Sequence, residues 1–277
     1  MTDTTGSPSS TDRYGLETIA TTLDDDGILL VTLNRPDRGN GITAQMHEDL
    51  RDVYHNITRD PEVRVVVLTG AGKNFCVGAD FATMEENLAG PGYPEGRPDL
   101  LDDGVDIARN AVRVRQPMIA AVNGHAIGLG ASLALFCDIV YLSERARIGD
   151  PHVNAGLVAG DGGAVLWPIL VGLNRAKELL MTGDLLNAEQ AERWGLVNHV
   201  VPADEVLDTA MATARRLAGG ARHAIMFNKR LCNKDLERRI LDLYEFGFAL
   251  EALTFETKDH SEAVDAFLNK RTPKFGS

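Results

Sequence analysis

The chain has few cysteines and no long apolar run. Its 277 residues include three cysteines, Cys76, Cys137 and Cys232, with no C-x-x-C pair among them. This number and spacing exclude a disulfide framework and a zinc knuckle, and they fit a reducing cytoplasm. No stretch approaches the roughly 20 consecutive apolar residues of a membrane-spanning helix. We therefore expect a cytoplasmic protein that is not embedded in a membrane.

Basic residues are also fewer than acidic residues. Lys and Arg number 28 against 40 Asp and Glu, which gives a formal net charge of −12. A negative field of this kind repels phosphate backbones and anionic lipid surfaces. Nucleic acid and membranes are therefore not expected partners. An anionic small molecule would have to be held by a local group of Lys and Arg side chains.

The N-terminal segment is polar. Met1 to Asp12 is rich in Thr, Ser and Asp and has neither the basic start nor the apolar run of a signal peptide. A composition of this kind cannot bury enough apolar surface to order the chain. We therefore predict a disordered tail at residues 1–15.

Residues 16–202 are predicted to form an α/β core. From Leu16 to Val200, short β-branched runs alternate with Gly-rich turns and apolar helical stretches, a pattern typical of ββα units around stacked sheets. Three of the clearest strands lack polar alternation, as expected for strands covered on both faces. The clearest strands are predicted at Ile28–Leu33, Val63–Leu68, Met118–Val122 and Ile139–Leu142.

Residues 203–277 are predicted to be almost entirely helical. One helix carries more apolar surface than a lone surface helix can bury, so we expect this region to contact neighbouring subunits in a homo-oligomer. Its apolar residues are Phe246, Phe248, Leu250, Leu253 and Phe255. The helices are predicted at Asp204–Leu217, Arg222–Asn233 and Leu236–Thr257, followed by a last helix capped by Asp259 with Glu262 three residues later.

Two segments share a layout of apolar strand, Gly-containing turn and helix, at residues 65–81 and 118–138. Each turn directs N–H groups at the start of a helix outward, where unpaired donors and the positive helix end can hold a developing oxyanion. Two such turns facing each other would form an oxyanion hole. Gly90–Arg97, with three Gly and two Pro, is predicted to be a mobile loop between the two halves of the expected site.

Other interpretations of the second turn are weaker. Gly128-Leu129-Gly130 could open a dinucleotide fingerprint, but Leu133 stands where the third glycine is required. Residues 130–134 are one residue short of a G-x-S-x-G nucleophile elbow, and Ser132 has no obvious base. Each turn alone is more often structural than functional. Their pairing, with GAD in the first turn, favours an oxyanion hole.

Five segments resemble the enoyl-CoA hydratase/isomerase, or crotonase, superfamily, in the family's order and over about two-thirds of the chain, roughly residues 28–202. They are LNRP at 33–36, LTGAGKNFCVGAD at 68–80, PMIAAVNGHAIGLG at 117–130, LALFCDIVYLSERARIG at 133–149 and LLMTGDLLNAEQAERWGLVNHVV at 179–201. The resemblance implies a crotonase-like spiral of ββα units with a C-terminal helical trimerisation region. It also implies a homotrimer or a dimer of trimers.

The same resemblance implies a substrate site for an acyl-CoA thioester, with coenzyme A present only as part of the substrate and no further cofactor. Ala79 and Leu129 occupy the positions whose N–H groups bind the thioester oxygen. Arg35 and the backbone around Asp80 lie where the family receives the CoA nucleotide. The remaining residues expected to contact substrate are Phe81, Gly128 and Gly130.

The chain departs from the family at the acid/base pair. Two glutamates flank the substrate double bond in the hydratases, and their positions here hold Ser132 and His152. A serine hydroxyl cannot act as the base, whereas imidazole titrates near neutral pH. Asp161 lies close to where other branches place an extra catalytic carboxylate. We predict that His152 and Asp161 move protons, in an isomerisation or a hydration.

The segment from PH through GLVAGDGG to WP at 167–168 is similar to the branch of 6-oxocamphor hydrolase, which cleaves a carbon–carbon bond of a cyclic 1,3-diketone. There the histidine works with a carboxylate from the long C-terminal helix, matched here by Glu251. The position of that branch's active-site tryptophan falls here at about Ile42. Its second active-site histidine has no counterpart in this chain. Carbon–carbon hydrolysis is the alternative prediction. A third is a non-catalytic acyl-CoA-binding protein, which would account for Ser132.

Structural roles compete with these assignments. His152 could be a loop histidine packed on the sheet, and Asp161 a turn residue between two glycines. Glu251 could lie on a solvated helix face or in an intersubunit ion pair. No metal is expected, because the other histidines lack metal-ligand spacing. They are His47, His55, His125, His199, His223 and His260.

Overall fold

The computed structural model describes residues 12–80, 83–85 and 100–276, with the side chains of Leu100 and Leu101 excepted. The predicted loop at Gly90–Arg97 lies outside these residues, as does most of the predicted tail. The end of that tail is ordered, contrary to the prediction for residues 1–15. Arg13 N–H donates to the carbonyl of Thr21 at 2.8 Å, and the Tyr14 hydroxyl donates to Asp60 at 3.1 Å.

The strands occur in chain order as β1 (Ile19–Leu23), β2 (Ile28–Leu33), β3 (Val65–Gly70), β4 (Met118–Val122), β5 (Ala126–Ile127), β6 (Ile139–Ser143), β7 (Arg147–Gly149), β8 (Leu186–Asn187) and β9 (His199–Val201). The larger sheet has the order β1-β2-β3-β4-β6-β9, and the smaller one β5-β7-β8. In the larger sheet only β1 and β2 pair antiparallel. All four predicted strands are present, the second shifted to end at Gly70.

The helices are α1 (Ala44–Arg59), α2 (Leu100–Arg113), α3 (Leu129–Leu135), α4 (Gly163–Leu170), α5 (Leu173–Thr182), α6 (Ala188–Arg193), α7 (Val206–Ala218), α8 (Arg222–Arg239), α9 (Glu245–Phe255) and α10 (Lys258–Leu268). Short 3-10 helices span Pro36–Arg38 and His152–Ala155. Among the described residues, none of the helices combines the length and hydropathy needed to cross a lipid bilayer.

Strands β3 and β4 are buried at every position, which confirms that they are covered on both faces. Because side chains alternate along a strand, Val65 and Val67 pack with α7 residues such as Ala210 and Ala214. The intervening residues, Val66 among them, belong to the main core on the other face. This sandwiching fixes the two strands whose ends carry the predicted oxyanion-hole turns.

The long C-terminal helix differs from the prediction. We expected separate helices at Arg222–Asn233 and Leu236–Thr257, but α8 continues through a π-helical turn at Ile240–Tyr244 directly into α9. No glycine or proline interrupts the chain between residues 222 and 245. The backbone therefore stays helical where polar residues around Asn233 suggested a break.

Helix α9 carries apolar side chains on both sides. Phe248 is buried, whereas Phe246 and Leu253 are 65% and 68% exposed. Assembly of subunits through residues 203–277 would cover the exposed ones. The homotrimer stays a prediction.

The cap of the last helix is Thr257, so the prediction of Asp259 as the cap is wrong. The Thr257 backbone is extended, and its hydroxyl accepts from the His260 N–H at 3.2 Å. Asp259 lies inside the first turn of α10 instead. A threonine hydroxyl in this position satisfies one of the amides that a helix start leaves unpaired.

Replacing this cap should therefore destabilise the protein. Thr257→Ala is expected to lower the free energy of unfolding by about 1 kcal/mol, measured by urea denaturation. The matched control is Asp259→Ala, which removes a charge near the helix start and should cost about 0.5 kcal/mol. A larger loss for Asp259→Ala than for Thr257→Ala would contradict the assignment of the cap.

Candidate active site

Two turns lie side by side beyond the carboxyl ends of β3 and β4. The two strands are parallel, with Val67 opposite Ile119, so the chain leaves both at the same edge of the sheet. Backbone hydrogen bonds then join the turns: Cys76 N–H donates to the His125 carbonyl at 3.0 Å, and Ile127 N–H donates to the Cys76 carbonyl at 2.9 Å. The first turn is thereby held against the second.

The glycines before the two predicted oxyanion-hole residues are in contact. Gly78 and Gly128 have φ of 83° and 56°, a region that favours glycine. A Cβ added at Gly128 would lie 3.9 Å from the Gly78 Cα. Side chains at these positions would therefore be strained, and a Cβ at Gly78 would crowd the Ile127 carbonyl oxygen at 3.0 Å. The next residue of each turn is Ala79 or Leu129.

The amides of Ala79 and Leu129 are available. Ile42 uses the groups on either side of Ala79, since its N–H donates to the Gly78 carbonyl and its carbonyl accepts from Asp80 N–H. This pattern points the Ala79 N–H away from Ile42. Leu129 is the first residue of α3, where an amide has no partner within the helix. Neither N–H donates to any residue in the described part of the chain.

His152 lies against the second turn. A Cβ added at Gly128 would be 3.2 Å from Cε1 and 3.7 Å from Nε2 of the His152 ring. The pairing of β5 with β7 brings it there, because the Gly149 carbonyl accepts from Gly128 N–H at 2.9 Å. The His152 side chain is 12% exposed, so one edge of the ring remains accessible.

Three carboxyl groups surround the His152 ring. Nδ1 hydrogen-bonds to Oδ1 of Asp150, while Nε2 lies 3.3 Å from Oδ2 of Asp161 and 3.8 Å from Oε1 of Glu251. The structure thus brings together His152, Asp161 and Glu251, which the sequence analysis singled out. It adds Asp150, which that analysis missed, although its place two residues before His152 was a signal. We call these four residues the acid cluster.

Each competing structural role can now be judged. Glu251 is 4% exposed, so the prediction of a solvated helix face or an intersubunit ion pair is wrong. Helix α9 reaches the site because Gly247 packs against Gly160, and a Cβ at Gly160 would lie 2.9 Å from Oε2 of Glu251. Asp161 is a turn residue between glycines, and its carboxylate also faces His152. Its catalytic role stays a prediction.

Tyr244 supports the Asp161 turn from the π-helical segment. Its buried hydroxyl donates to the Asp161 carbonyl at 2.9 Å. Sequence reasoning missed this residue, because a helical tyrosine 83 positions away carries no signal for the contact. The acid cluster is therefore held in place by contacts from the C-terminal helices as well as from the sheet.

Ser132 is not bonded to the acid cluster. It is fully buried in α3, and its hydroxyl has no hydrogen-bond partner in the described chain. A Cβ at Gly162 would approach its Oγ to 2.5 Å, so it lies beneath the Asp161 turn. A catalytic role for Ser132 stays a prediction without a contact to support it.

The residues predicted for the CoA nucleotide are paired with each other. Arg35 Nη2 lies 3.0 Å from Oδ2 of Asp80, and Nη1 donates to the Gly41 carbonyl. Phe81 lies outside the described residues. Gly130 has a packing role, because a Cβ there would be 2.5 Å from the Cys76 carbonyl oxygen. Asn40, missed in the sequence, donates to the Ala71, Asn74 and Phe75 carbonyls and holds the first turn.

Comparisons with known proteins give the family. A model of the family described as enoyl-CoA hydratase/isomerase matches residues 24–277. The chain belongs to the enoyl-CoA hydratase/isomerase family. A probable enoyl-CoA hydratase of Mycobacterium tuberculosis is 39% identical over 256 residues, which cover 90% of this chain and 89% of the relative.

Solved structures of this family share the fold. An enoyl-CoA hydratase/isomerase from Mycobacterium paratuberculosis has a TM-score of 0.86 at 38% identity, covering 91% of this chain and 99% of that one. A β-diketone hydrolase from the cyanobacterium Anabaena, bound to (S)-3-oxocyclohexyl acetic acid, has a TM-score of 0.78 at 30% identity, covering 86% and 94%. The predicted α/β class and the crotonase-type fold with its C-terminal helices are confirmed.

Within this family fold, two residues of the acid cluster, His152 and Glu251, have raised pKa values. Burial lowers the pKa of His152, but the negative charges of Asp150 and Asp161 outweigh it and raise that pKa well above 6.5. Burial and the charge of Asp161 raise the pKa of Glu251 well above its usual value, partly opposed by His152. The cluster therefore offers an imidazolium as a proton donor.

The cluster also has the spacing of a possible metal site. Asp150, His152 and Asp161 each place one ligand atom within 4.8 Å of the others. Both ring nitrogens of His152 already face carboxylates, so a metal would have to displace one of these contacts. The absence of a catalytic metal stays a prediction.

The raised pKa of His152 gives a pH dependence of stability. A folded-state pKa above 6.5 stabilises the fold fully below about pH 6.5, and this contribution is lost as pH rises through the folded value. The wild type should therefore exceed His152→Gln in free energy of unfolding most at about pH 6, with the difference shrinking towards about pH 9. Urea denaturation at several pH values measures it.

The control for this experiment is His223→Gln, which replaces an exposed histidine in α8. The difference in free energy of unfolding between the wild type and His223→Gln should not shrink from about pH 6 to about pH 9 as it does for His152→Gln. A His152→Gln difference that grew with pH would show that the folded state loses the proton more easily than the unfolded chain, contrary to the charges around the ring.

Proposed function

We propose that the protein binds an acyl-CoA thioester and forms an enolate from it, in an isomerisation or hydration of a carbon–carbon double bond. The observation that carries the proposal is the contact between Gly78 and Gly128, the residues before Ala79 and Leu129, with the His152 ring lying against Gly128. The amides of Ala79 and Leu129 have no partner in the described residues. Two backbone donors can share the negative charge of one thioester oxygen, and this stabilises an enolate. Arg35 and Asp80 would receive the CoA nucleotide.

In this proposal Asp161 and His152 carry out the proton transfers. The Asp161 carboxylate accepts a proton from a substrate carbon or from water, and the His152 imidazolium donates one to the enolate. Their separation of 3.3 Å lets one substrate carbon chain face both groups. In an isomerisation Asp161 takes a proton from one carbon and His152 gives one to another. Transfer of the proton from Asp161 to Nε2 of His152, 3.3 Å away, then restores the starting state.

The role of the Leu129 amide can be tested without losing the helix. Proline lacks the N–H and is tolerated at the first position of a helix, which Leu129 occupies. Leu129→Pro should lower kcat about 100-fold relative to Leu129→Ala, which removes most of the same side chain and keeps the N–H. Assays with crotonyl-CoA and a 3-enoyl-CoA measure this. Equal kcat values for the two variants, both folded by circular dichroism, would refute the amide's role.

A second candidate function is hydrolysis of a carbon–carbon bond in a 1,3-diketone or its CoA ester. It is favoured by the burial of Glu251 beside His152 and by the similarity to the β-diketone hydrolase. Here His152 would activate water against a carbonyl, Glu251 would hold the imidazole, and Asp161 would protonate the leaving enolate. The raised pKa of His152 argues for the first candidate, since an imidazolium is not a base.

The products formed from both substrate classes separate these candidates, and His152→Ala tests the role of the histidine in either one. Turnover of the true substrate should fall about 100-fold or more, because a general acid or base is lost. A product of unchanged mass from a 3-enoyl-CoA, or one water added to crotonyl-CoA, supports the first candidate. A ring-opened acid from a cyclic 1,3-diketone supports the second. Tight binding of CoA esters with no turnover of either class, in wild type and variant alike, would indicate a non-catalytic binding protein.

A further inference from the structure

We propose that Asp150 is a positioning residue of the active site, which holds the His152 ring with Nδ1–H directed to its carboxylate and Nε2 directed to Asp161, Glu251 and the substrate. The inference rests on the proposed function insofar as His152 transfers a proton there. It concerns a residue that contacts the substrate only through the imidazole.

The hydrogen bond itself determines which ring nitrogen carries a proton. Asp150 Oδ1 bonds to Nδ1 of His152, and a carboxylate oxygen can only accept, so Nδ1 must be the N–H. In the neutral ring one nitrogen must place its lone pair against a carboxylate. The contact of Nδ1 with Asp150 is a close hydrogen bond, whereas Nε2 lies 3.3 Å from Asp161, so the repulsion is smaller when the lone pair is on Nε2. Asp150 therefore ties the proton-transfer atom to the side of the ring where substrate can bind.

The backbone around Asp150 is anchored to the oxyanion-hole turn. Asp150 follows β7 directly, and the Gly149 carbonyl accepts from the N–H of Gly128. A displacement of Asp150 would therefore have to disturb the turn that carries Leu129. The residue holds the imidazole at a set distance from the amides that receive the substrate oxygen.

The second carboxylate oxygen is enclosed by the start of α4. The Asp150 side chain is 1% exposed, and its Oδ2 has no hydrogen-bond partner in the described residues. A Cβ at Gly163, the first residue of α4, would overlap this oxygen. The carboxylate thus lies at the positive end of a helix dipole, in a space that only a glycine leaves open. This enclosure blocks rotation of the side chain.

Four titratable groups from different elements define the surroundings of His152. Asp150 follows β7, Asp161 lies in the turn before α4, Glu251 extends from α9, and Tyr244 contacts the Asp161 turn from the π-helical segment. Among the three carboxyl groups, Asp150 alone reaches Nδ1. Loss of its charge should act on His152 without removing either group at Nε2.

The test is Asp150→Asn, which keeps the shape, removes the charge and can turn an amide N–H₂ towards Nδ1. We expect kcat to fall about 100-fold or more with KM changed about threefold or less, because the ring is held in the wrong tautomer. The pKa of His152, followed by NMR of labelled histidine, should fall. In a His152→Ala background, adding Asp150→Asn should change kcat less than about twofold, since Asp150 acts through the ring.

Two results would overturn the proposal: a His152 pKa and tautomer unchanged by Asp150→Asn, or an equal loss of kcat from Asp150→Asn with and without His152. If the variant fails to fold, the wild type decides alone. Nitrogen shifts at a pH where the ring is neutral must show the proton on Nδ1, and a proton on Nε2 refutes the inference. This measurement needs no turnover, so a failed functional assignment remains distinguishable from a failed positioning role.

Discussion

The site depends on the backbone pairing between two turns that are far apart in the chain. Cys76 exchanges hydrogen bonds with His125 and Ile127, and this short ladder extends the parallel pairing of β3 and β4 past the end of the sheet. Without it the amides of Ala79 and Leu129 would belong to unrelated loops. Buried strands on both sides make the ladder rigid, and glycines at 78 and 128 let the two backbones meet. Main-chain geometry, more than any side chain, therefore sets the position of the proposed oxyanion hole.

The side chains beside this ladder are subject to an electrostatic constraint. Three buried carboxyl groups around one imidazole cannot all remain charged at low cost, because burial penalises each charge and like charges repel. The protein meets this constraint by keeping protons in the cluster, on His152 and on Glu251. Ser132 lies apart from these groups as a buried hydroxyl with no hydrogen-bond partner in the described residues.

Local patterns in the sequence were sufficient to predict the fold and about half of the residues of the candidate site. Unbroken β-branched runs indicated the buried strands, and the Gly-containing turns indicated the two segments that lie side by side at the end of the sheet. His152 and Asp161 stood out as departures from a known pattern. The remaining contacts connect distant parts of the chain: Glu251 lies 99 positions from His152 along the sequence, and Tyr244 meets Asp161 only through the packing of the C-terminal helices. Spacing within one segment cannot reveal such pairs, and it also cannot show which of two residues, Thr257 or Asp259, has the extended backbone of a cap.

The π-helical turn at Ile240–Tyr244 determines which side chains of α9 face the acid cluster. A π turn arises where one additional residue enters an α-helix, and each residue rotates the following helix by about 100°. Tyr244 and Glu251, seven residues apart, share a face, and the register of that face towards the active site depends on the extra residue. Removing one residue from the bulge would turn Glu251 away from His152 and direct a different position of α9 inward.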